Sequence, residues 1–275
     1  MWVACGSPRA SGRGQRRRIQ HAAAVAVAVA MGAAGARAQQ VGAGGTSSTT
    51  PGVVTRAAVM ARLAAASDAH PANFAGEDLS GLDLSGVDLS RANLAGTRLI
   101  HTRLMHAKLF SANLDSAVAR DADFTGAVLD VSAMRSADFT HATLRDASLF
   151  AVIMPNAIFA DADLSGARII ATASDASFAR ANLSHANIGA DPRNQPMGVM
   201  RTDFTNADFS GADLSGANLR KAKMTRANFT GATVAGADFS LCDLSGAVFH
   251  DVRGRDAIKG LDQALHADEA IFDPR

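Results

Sequence analysis

From Phe74 onward, a large apolar residue returns at every fifth position. Phe74, Leu79, Leu84, Leu89 and Leu94 open the series, which runs to Ile169 with one small member, Ala119. Phe178, Leu183 and Ile188 continue it one residue out of phase, and Phe204 to Phe249 restore the first phase. The count is 33 units. Two residues before a centre there is usually Ala, as in Ala92, Ala112, Ala212 and Ala237, and the residue between them is usually Asp or Asn. A period of five matches neither the helical 3.6 nor the strand 2 over any distance. Within one unit, the small and large residues lie two apart, on one side of an extended segment. The Ser, Thr, Gly and Asp that follow suit a turn. The object this spacing predicts is a coil whose every side is one pentapeptide.

The phrases "GEDLSGLDLSGVDLSRANL", 76–94, and "TNADFSGADLSGANLRKAKM", 205–224, carry the A(D/N)LXX pattern. In them the chain resembles the pentapeptide repeat family over about residues 72–250. The resemblance implies an all-β solenoid, a right-handed quadrilateral β-helix with four units per coil. The large and small apolar residues then point inward and the other three outward. Roughly eight coils stacked about 4.8 Å apart give a rod near 40 Å long. Both ends of such a solenoid need covering, because each coil contacts only its neighbours.

The predicted organisation is a signal peptide at 1–38, a flexible linker at 39–52, an N-terminal capping helix at 53–71, the β-helix at 72–254 with a loop at 189–202, and a C-terminal cap at 255–275. The leader has Arg9, Arg13, Arg16, Arg17 and Arg18, then an apolar stretch at 22–36, then an A-x-A pattern ending at Ala38. This order is that of an export signal, and the "RRRI" stretch at 16–19 matches a twin-arginine signal loosely. Fifteen residues of Ala, Val, Gly and Met are too few for a stable anchor. Cleavage after Ala38 removes six of the 27 basic residues and none of the 26 acidic ones, which leaves a net charge of −5 with His neutral. It also removes Cys5 and leaves Cys242 alone, so no internal disulfide is available. In "TRAAVMARLAAAS", 55–67, Thr55 is a candidate N-cap, with Val59, Leu63 and Ala66 on one face. In 256–273, Ile258, Leu261 and Leu265 stand at helical spacing, and "EAIF" resembles a last strand with Phe272 at a centre.

The departures from the repeat are where a function would be written. Phe110, Phe150 and Ile170 fall in one stacked column of outward positions, interrupted by Asp130, with Val128, Val131, Ala151 and Ile153 beside it. An apolar strip on a solvated wall predicts a protein partner, a second copy or a packed loop. Nearby, Ile169 to Phe178 spans nine residues in place of ten, with Ser174 where a centre belongs. Ile188 to Phe204 then spans 16, and its Pro and Gly residues predict a protruding loop. Met197, Val199 and Met200 of that loop are placed to fold over Phe150 and Ile170. The predicted interaction surface is therefore Phe110, Val128, Phe150, Ile153, Ile170, Met197 and Met200.

Chemical motifs are sparse. His101 and His141 share an outward column with Asp121 and Asp161, a mixture far more often a solvated ladder than a metal site. No phosphate loop, CxxC pair or nucleophile elbow is present, and no cofactor is implied. Cys242 stands at an inward small position and is expected to be buried and inert. No basic patch points to nucleic acid. These readings predict a periplasmic or secreted scaffold without enzymatic activity. By resemblance, some members of the family mimic duplex DNA and shield a topoisomerase such as gyrase, which requires a strongly acidic rod in the cytoplasm.

Overall fold

The computed structural model describes residues 54–190 and 200–274. The leader, the whole linker and Met197 lie outside the described residues.

Parallel β-bridges join residues twenty apart except across the slip, the loop and the last coil, so each coil has four sides. The walls are numbered by their first rung. Wall 1 starts at Asn73, wall 2 at Asp78, wall 3 at Asp83 and wall 4 at Asp88. Walls 1 and 2 have ten rungs each, and walls 3 and 4 have nine. That is nine full coils and half of a tenth, more than the roughly eight expected from the visible centres. Among the described residues, regular strands form only at β1, Ser148–Ile153, paired with β2, Arg168–Thr172, and at β3, Val248–Phe249, paired with β4, Ile271–Phe272.

Each side repeats one local design. The Asp or Asn before the centre makes the bridge, and its side chain also accepts the backbone N–H two residues on. Ser80 donates to Asp78, Ser85 to Asp83 and Ser215 to Asp213, all at 2.9–3.0 Å. This Asx contact sets up the corner. The corner closes with a bond from the third residue after the centre back to the centre carbonyl, as from Glu77 N–H to Phe74 O at 3.0 Å. The second residue after the centre has positive φ, as in a type II turn, on every five-residue side except those that begin the slip at Ile169 and the loop at Ile188.

The interior is a column of centres and Ala residues, nearly all without solvent contact. Burying one centre contributes roughly 1.5–3 kcal/mol against exposure. Inside wall 2, Phe139, Phe159, Phe178, Phe209, Phe229, Phe249 and Phe272 stack face to face, with centroids 4.6–5.2 Å apart and planes within 12°. Two small centres lie beside extra rings. Ala119 shares its coil with Phe124, which meets Phe139 edge-on at 5.5 Å. Ala173 precedes Phe204 in wall 1, and Phe204 meets Phe178 and Phe209 edge-on. The rings fill volume those alanines leave, as a close-packed interior requires.

At the N-terminal end, α1 spans Arg56–Ala65, and Thr55 Oγ1 accepts from Ala58 N–H at 3.2 Å. Val59 is fully buried against the first coil, with Val54, Leu63 and Ala66 beside it. Arg62 pairs with Glu77 at 2.5 Å, and Arg56 donates to the Asp83 carbonyl.

The C-terminal end differs from the expected helix. Residues 255–257 and 261–263 form 3₁₀ turns, and the chain makes a last coil with six-residue sides. Its rungs are Arg253, Lys259, Leu265 and Ile271, each six residues after the last. Val252, Ile258, Ala264 and Ala270 occupy the small inward positions and pack against the core. Gly254, Gly260 and His266 take positive φ after each of the first three rungs. Phe249 and Phe272 are register partners across β3 and β4. The spacing of Ile258, Leu261 and Leu265 therefore belongs to a six-residue coil and to no helix.

Candidate functional site

The four corners are not equivalent. Of the positive-φ glycines in the five-residue sides, none lies at the corner between walls 4 and 1, hereafter corner 4/1. There the left-handed position holds Arg91, Ser111, Val131, Ala151, Lys221 and Leu241, with φ between 56° and 63°. A β-branched residue in this conformation, as at Val131, is a true backbone outlier. Backbone strain collects where surrounding structure over-determines it, often at functional sites.

The apolar strip lies on the same edge. Phe110 is 48% exposed, and Val128, Val131 and Ile153 are each 37–40% exposed. Phe150 is half-buried. The Arg168 guanidinium covers its ring at 4.3 Å, a cation–π contact. Asp130 interrupts the strip without standing free. Its Oδ1 accepts from the Ser148 hydroxyl at 2.6 Å and the Phe150 N–H at 3.0 Å. Phe110, Val128, Phe150 and Ile153 thus share one edge, as the spacing implied.

Ile170 does not belong to the strip. It is 1% exposed. The register jumps between Phe150 and Val152, so the side after Ile169 has lost one turn residue. With a single residue in the corner, β2 runs on without turning outward and Ile170 is drawn into the wall. The same loss makes Ala173 the next centre, buried at 0%, where Ser174 was expected. Met200 is 36% exposed at the base of the loop. The loop leaves at Gly189 and returns at Thr202, whose hydroxyl donates to the carbonyls of Ile169 and Ile188 at 3.0 and 2.7 Å. Slip, loop, strip and strained turns thus share corner 4/1.

The outer walls are laddered by charge. Asp78 pairs with Arg98 at 3.4 Å, Asp83 with Arg103 at 3.7 Å and Asp88 with Lys108 at 4.0 Å, all across one coil step. Hydrogen bonds from Ser80 hold the Asp78 carboxyl below its usual range, with a smaller part from Arg98. Asp88 is held down in the same way by Ser90 and then Lys108. The column of His101, Asp121, His141 and Asp161 lies at the corner between walls 2 and 3, and Arg180 clamps Asp161 through two bonds of 2.6–2.7 Å. Among the described residues, no three His, Cys, Asp or Glu are placed to share a metal ion. Cys242 is fully buried, and its Sγ donates to the Leu219 carbonyl at 2.8 Å. Burial pushes its thiol up to about 12, so it holds its proton.

The family model described as "Pentapeptide repeats" matches in eight copies over residues 72–109, 112–150, 201–226 and 222–253. The chain belongs to the pentapeptide repeat family. The quadrilateral right-handed β-helix is this family's fold, and the four-walled coil is of that kind. Among solved structures, this pentapeptide repeat protein is similar to HetL from the cyanobacterium Nostoc sp. strain PCC 7120, a pentapeptide repeat protein involved in heterocyst differentiation regulation. That match has 24% identity and a TM-score of 0.47, covering 79% of this chain and 94% of HetL. QnrB1, a plasmid-mediated fluoroquinolone resistance protein, matches at 15% identity and a TM-score of 0.46, over 73% of this chain and 89% of QnrB1. No curated protein matches the chain. Among the described residues, no helix is long and apolar enough to cross a membrane.

Proposed function

We propose that this pentapeptide repeat protein is an exported, non-enzymatic scaffold that docks another protein on corner 4/1. The observation that carries the reading is Phe110, 48% exposed on the one corner that has no left-handed glycine in a five-residue side among the described residues. Val128, Val131 and Ile153 extend the patch. The exposed part of these side chains is roughly 300 Å², well below the ~800 Å² per partner of a standard interface. A patch of that size suits the apolar centre of a mixed interface better than a dimer built on it alone. Export rests on the leader: the Arg-rich start, the short apolar run and the A-x-A pattern at Ala38.

The alternative, a DNA mimic that shields a topoisomerase, needs free carboxylates along the rod. Here Arg98, Arg103 and Lys108 on the second coil match Asp78, Asp83 and Asp88, one pair on each of walls 2, 3 and 4. A gyrase protection assay is expected to show no protection.

The test replaces Phe110 and Phe150 with Ser and repeats a pull-down from envelope extract. The reading expects captured proteins to be lost while the melting temperature stays within a few degrees. An unchanged partner set and oligomeric state would remove the surface. Mass spectrometry of the mature N-terminus tests export separately: a start at Gln39 is expected, and a Met1 start in cytoplasmic protein would overturn it.

A further inference from the structure

Below the loop, corner 4/1 changes character from apolar to basic. A half-open cleft of about 230 Å³ is lined by Arg201, Thr202, Lys221, Lys223, Asp203 and Asp243, with Ala222 and Leu265 at its edge. Its two carboxylates are already engaged. Asp203 Oδ1 accepts the N–H and hydroxyl of Thr205, and its Oδ2 faces Lys223 Nζ at 3.2 Å. Asp243 Oδ1 accepts from Ser245 and meets His266 Nδ1 at 3.1 Å. Arg201 and Lys221 have no acidic partner among the described residues, and Arg220 beside them is held by Asp238 at 3.3 Å. Arg201 and Lys221 thus add positive charge to a concave site whose own carboxylates are held by Thr205 and Lys223 and by Ser245 and His266.

We infer that the Arg201–Lys221–Lys223 cleft binds the dianionic phosphate of a phosphate monoester. Lys223 offsets Asp203 and protonated His266 offsets Asp243, so Arg201 and Lys221 face a compact anion, and a phosphate monoester carries about −1.5 to −2 at pH 7. Arg201 supplies the forked donor that suits a tetrahedral oxyanion, and Lys221 and Lys223 add point charges. Lys221 stands at the left-handed turn position of corner 4/1, φ 62°, and lines the cleft from there. The phosphate could come from a soluble metabolite or from a lipid headgroup. This site is separate from the Phe110 patch and stands or falls independently of it.

The test uses the mature chain. Inorganic phosphate is titrated by calorimetry, and vesicles of phosphatidylcholine with and without phosphatidic acid are sedimented with the protein. Arg201→Glu and Lys221→Glu are compared with Arg145→Glu, which makes the same charge change on another wall. Saturable phosphate binding weakened about tenfold or more by the first two variants, and unchanged by the third, supports the site. Sedimentation only with phosphatidic acid, with the same variant pattern and no response to free phosphate, assigns the headgroup as the source. Absence of binding in both arms, or equal weakening in all three variants, overturns the inference. Thermal melts of the variants show that each remains folded.

Discussion

The imidazole of His106 lies directly on the backbone of Gly126, twenty residues later and one coil on. A Cβ built on Gly126 would sit 2.5 Å from His106 Nδ1. The same relation recurs up the corner between walls 3 and 4, where Asp146 covers Gly166 and His185 covers Gly216. At this corner each of these bulky left-handed residues rests on a glycine in the next coil.

Gly126→Ala should therefore cost more than a backbone penalty. Gly96 has the same φ of 64° and no atom within 4 Å of a built Cβ, so Gly96→Ala measures the backbone penalty alone, about 1–2 kcal/mol. Gly126→Ala is expected to exceed it by about 1 kcal/mol or more, with His106→Ala restoring the difference in the double variant. Urea denaturation of the three variants checks this.

Two neighbouring residues should improve the fold when simplified. Val131→Gly relieves a β-branched side chain at φ 63° and is expected to stabilise by about 1 kcal/mol. Ser132 is fully buried and its hydroxyl has no partner, so Ser132→Ala is expected to gain about 1 kcal/mol. Thr102 occupies the equivalent inward position, but its hydroxyl donates to Leu79 O at 3.0 Å, and Thr102→Val should lose about 1 kcal/mol. Opposite signs at equivalent positions, read from denaturation midpoints, are the expected result.

The phenylalanine ladder should be cooperative across coils. Phe159 stacks between Phe139 and Phe178 at 5.0 Å on each side. Phe159→Ala is expected to cost about 3–5 kcal/mol, while Phe159→Leu keeps most of the volume and costs much less. Calorimetry on both variants provides the comparison.

The final coil should hold best in mildly acidic solution. Its hydrogen bond to Asp243 raises the pKa of His266, as do the nearby charges of Asp243, Glu269 and Asp268. A raised value means that this contribution is complete below the ordinary His range near 6.5 and is lost as pH climbs through the folded value. Burial pushes Asp243 up, but hydrogen bonds from Ser245 and His266 outweigh it and leave the carboxyl low. Its contribution is therefore present above the ordinary carboxylate range and lost as pH falls through the depressed value. Amide protection around Leu265, relative to Phe159, should be higher at pH 6 than at pH 8.5. His266→Ala should flatten that difference.

Much of this was legible in the residues. Leu and Phe every five residues, with Ala two before, fixed the inner wall because burial tolerates little else there. Three features were not. The Asp in "ADLSG" reads from the spacing only as an outward residue, yet it binds the N–H two residues on and shapes the corner. Ile170 looked outward because five-residue counting assumes two turn residues, and its corner has one. The last coil disappeared because Gly254, Gly260 and His266 replace large centres. Its six-residue period survives only in Val252, Ile258, Ala264 and Ala270, and in Asp256, Asp262 and Asp268. Corner 4/1 could be located by misspellings of the repeat, but its lack of left-handed glycine emerged only once the turns were in register.

The most direct test of the account places a photo-crosslinking amino acid at one position per corner in living cells. Phe110 stands at corner 4/1, Ala95 at the corner of walls 1 and 2, Ile100 at that of walls 2 and 3, and Met105 at that of walls 3 and 4. The account predicts a discrete protein adduct from position 110 and none from 95, 100 or 105. Equal adducts at all four corners, or none at 110, would contradict it.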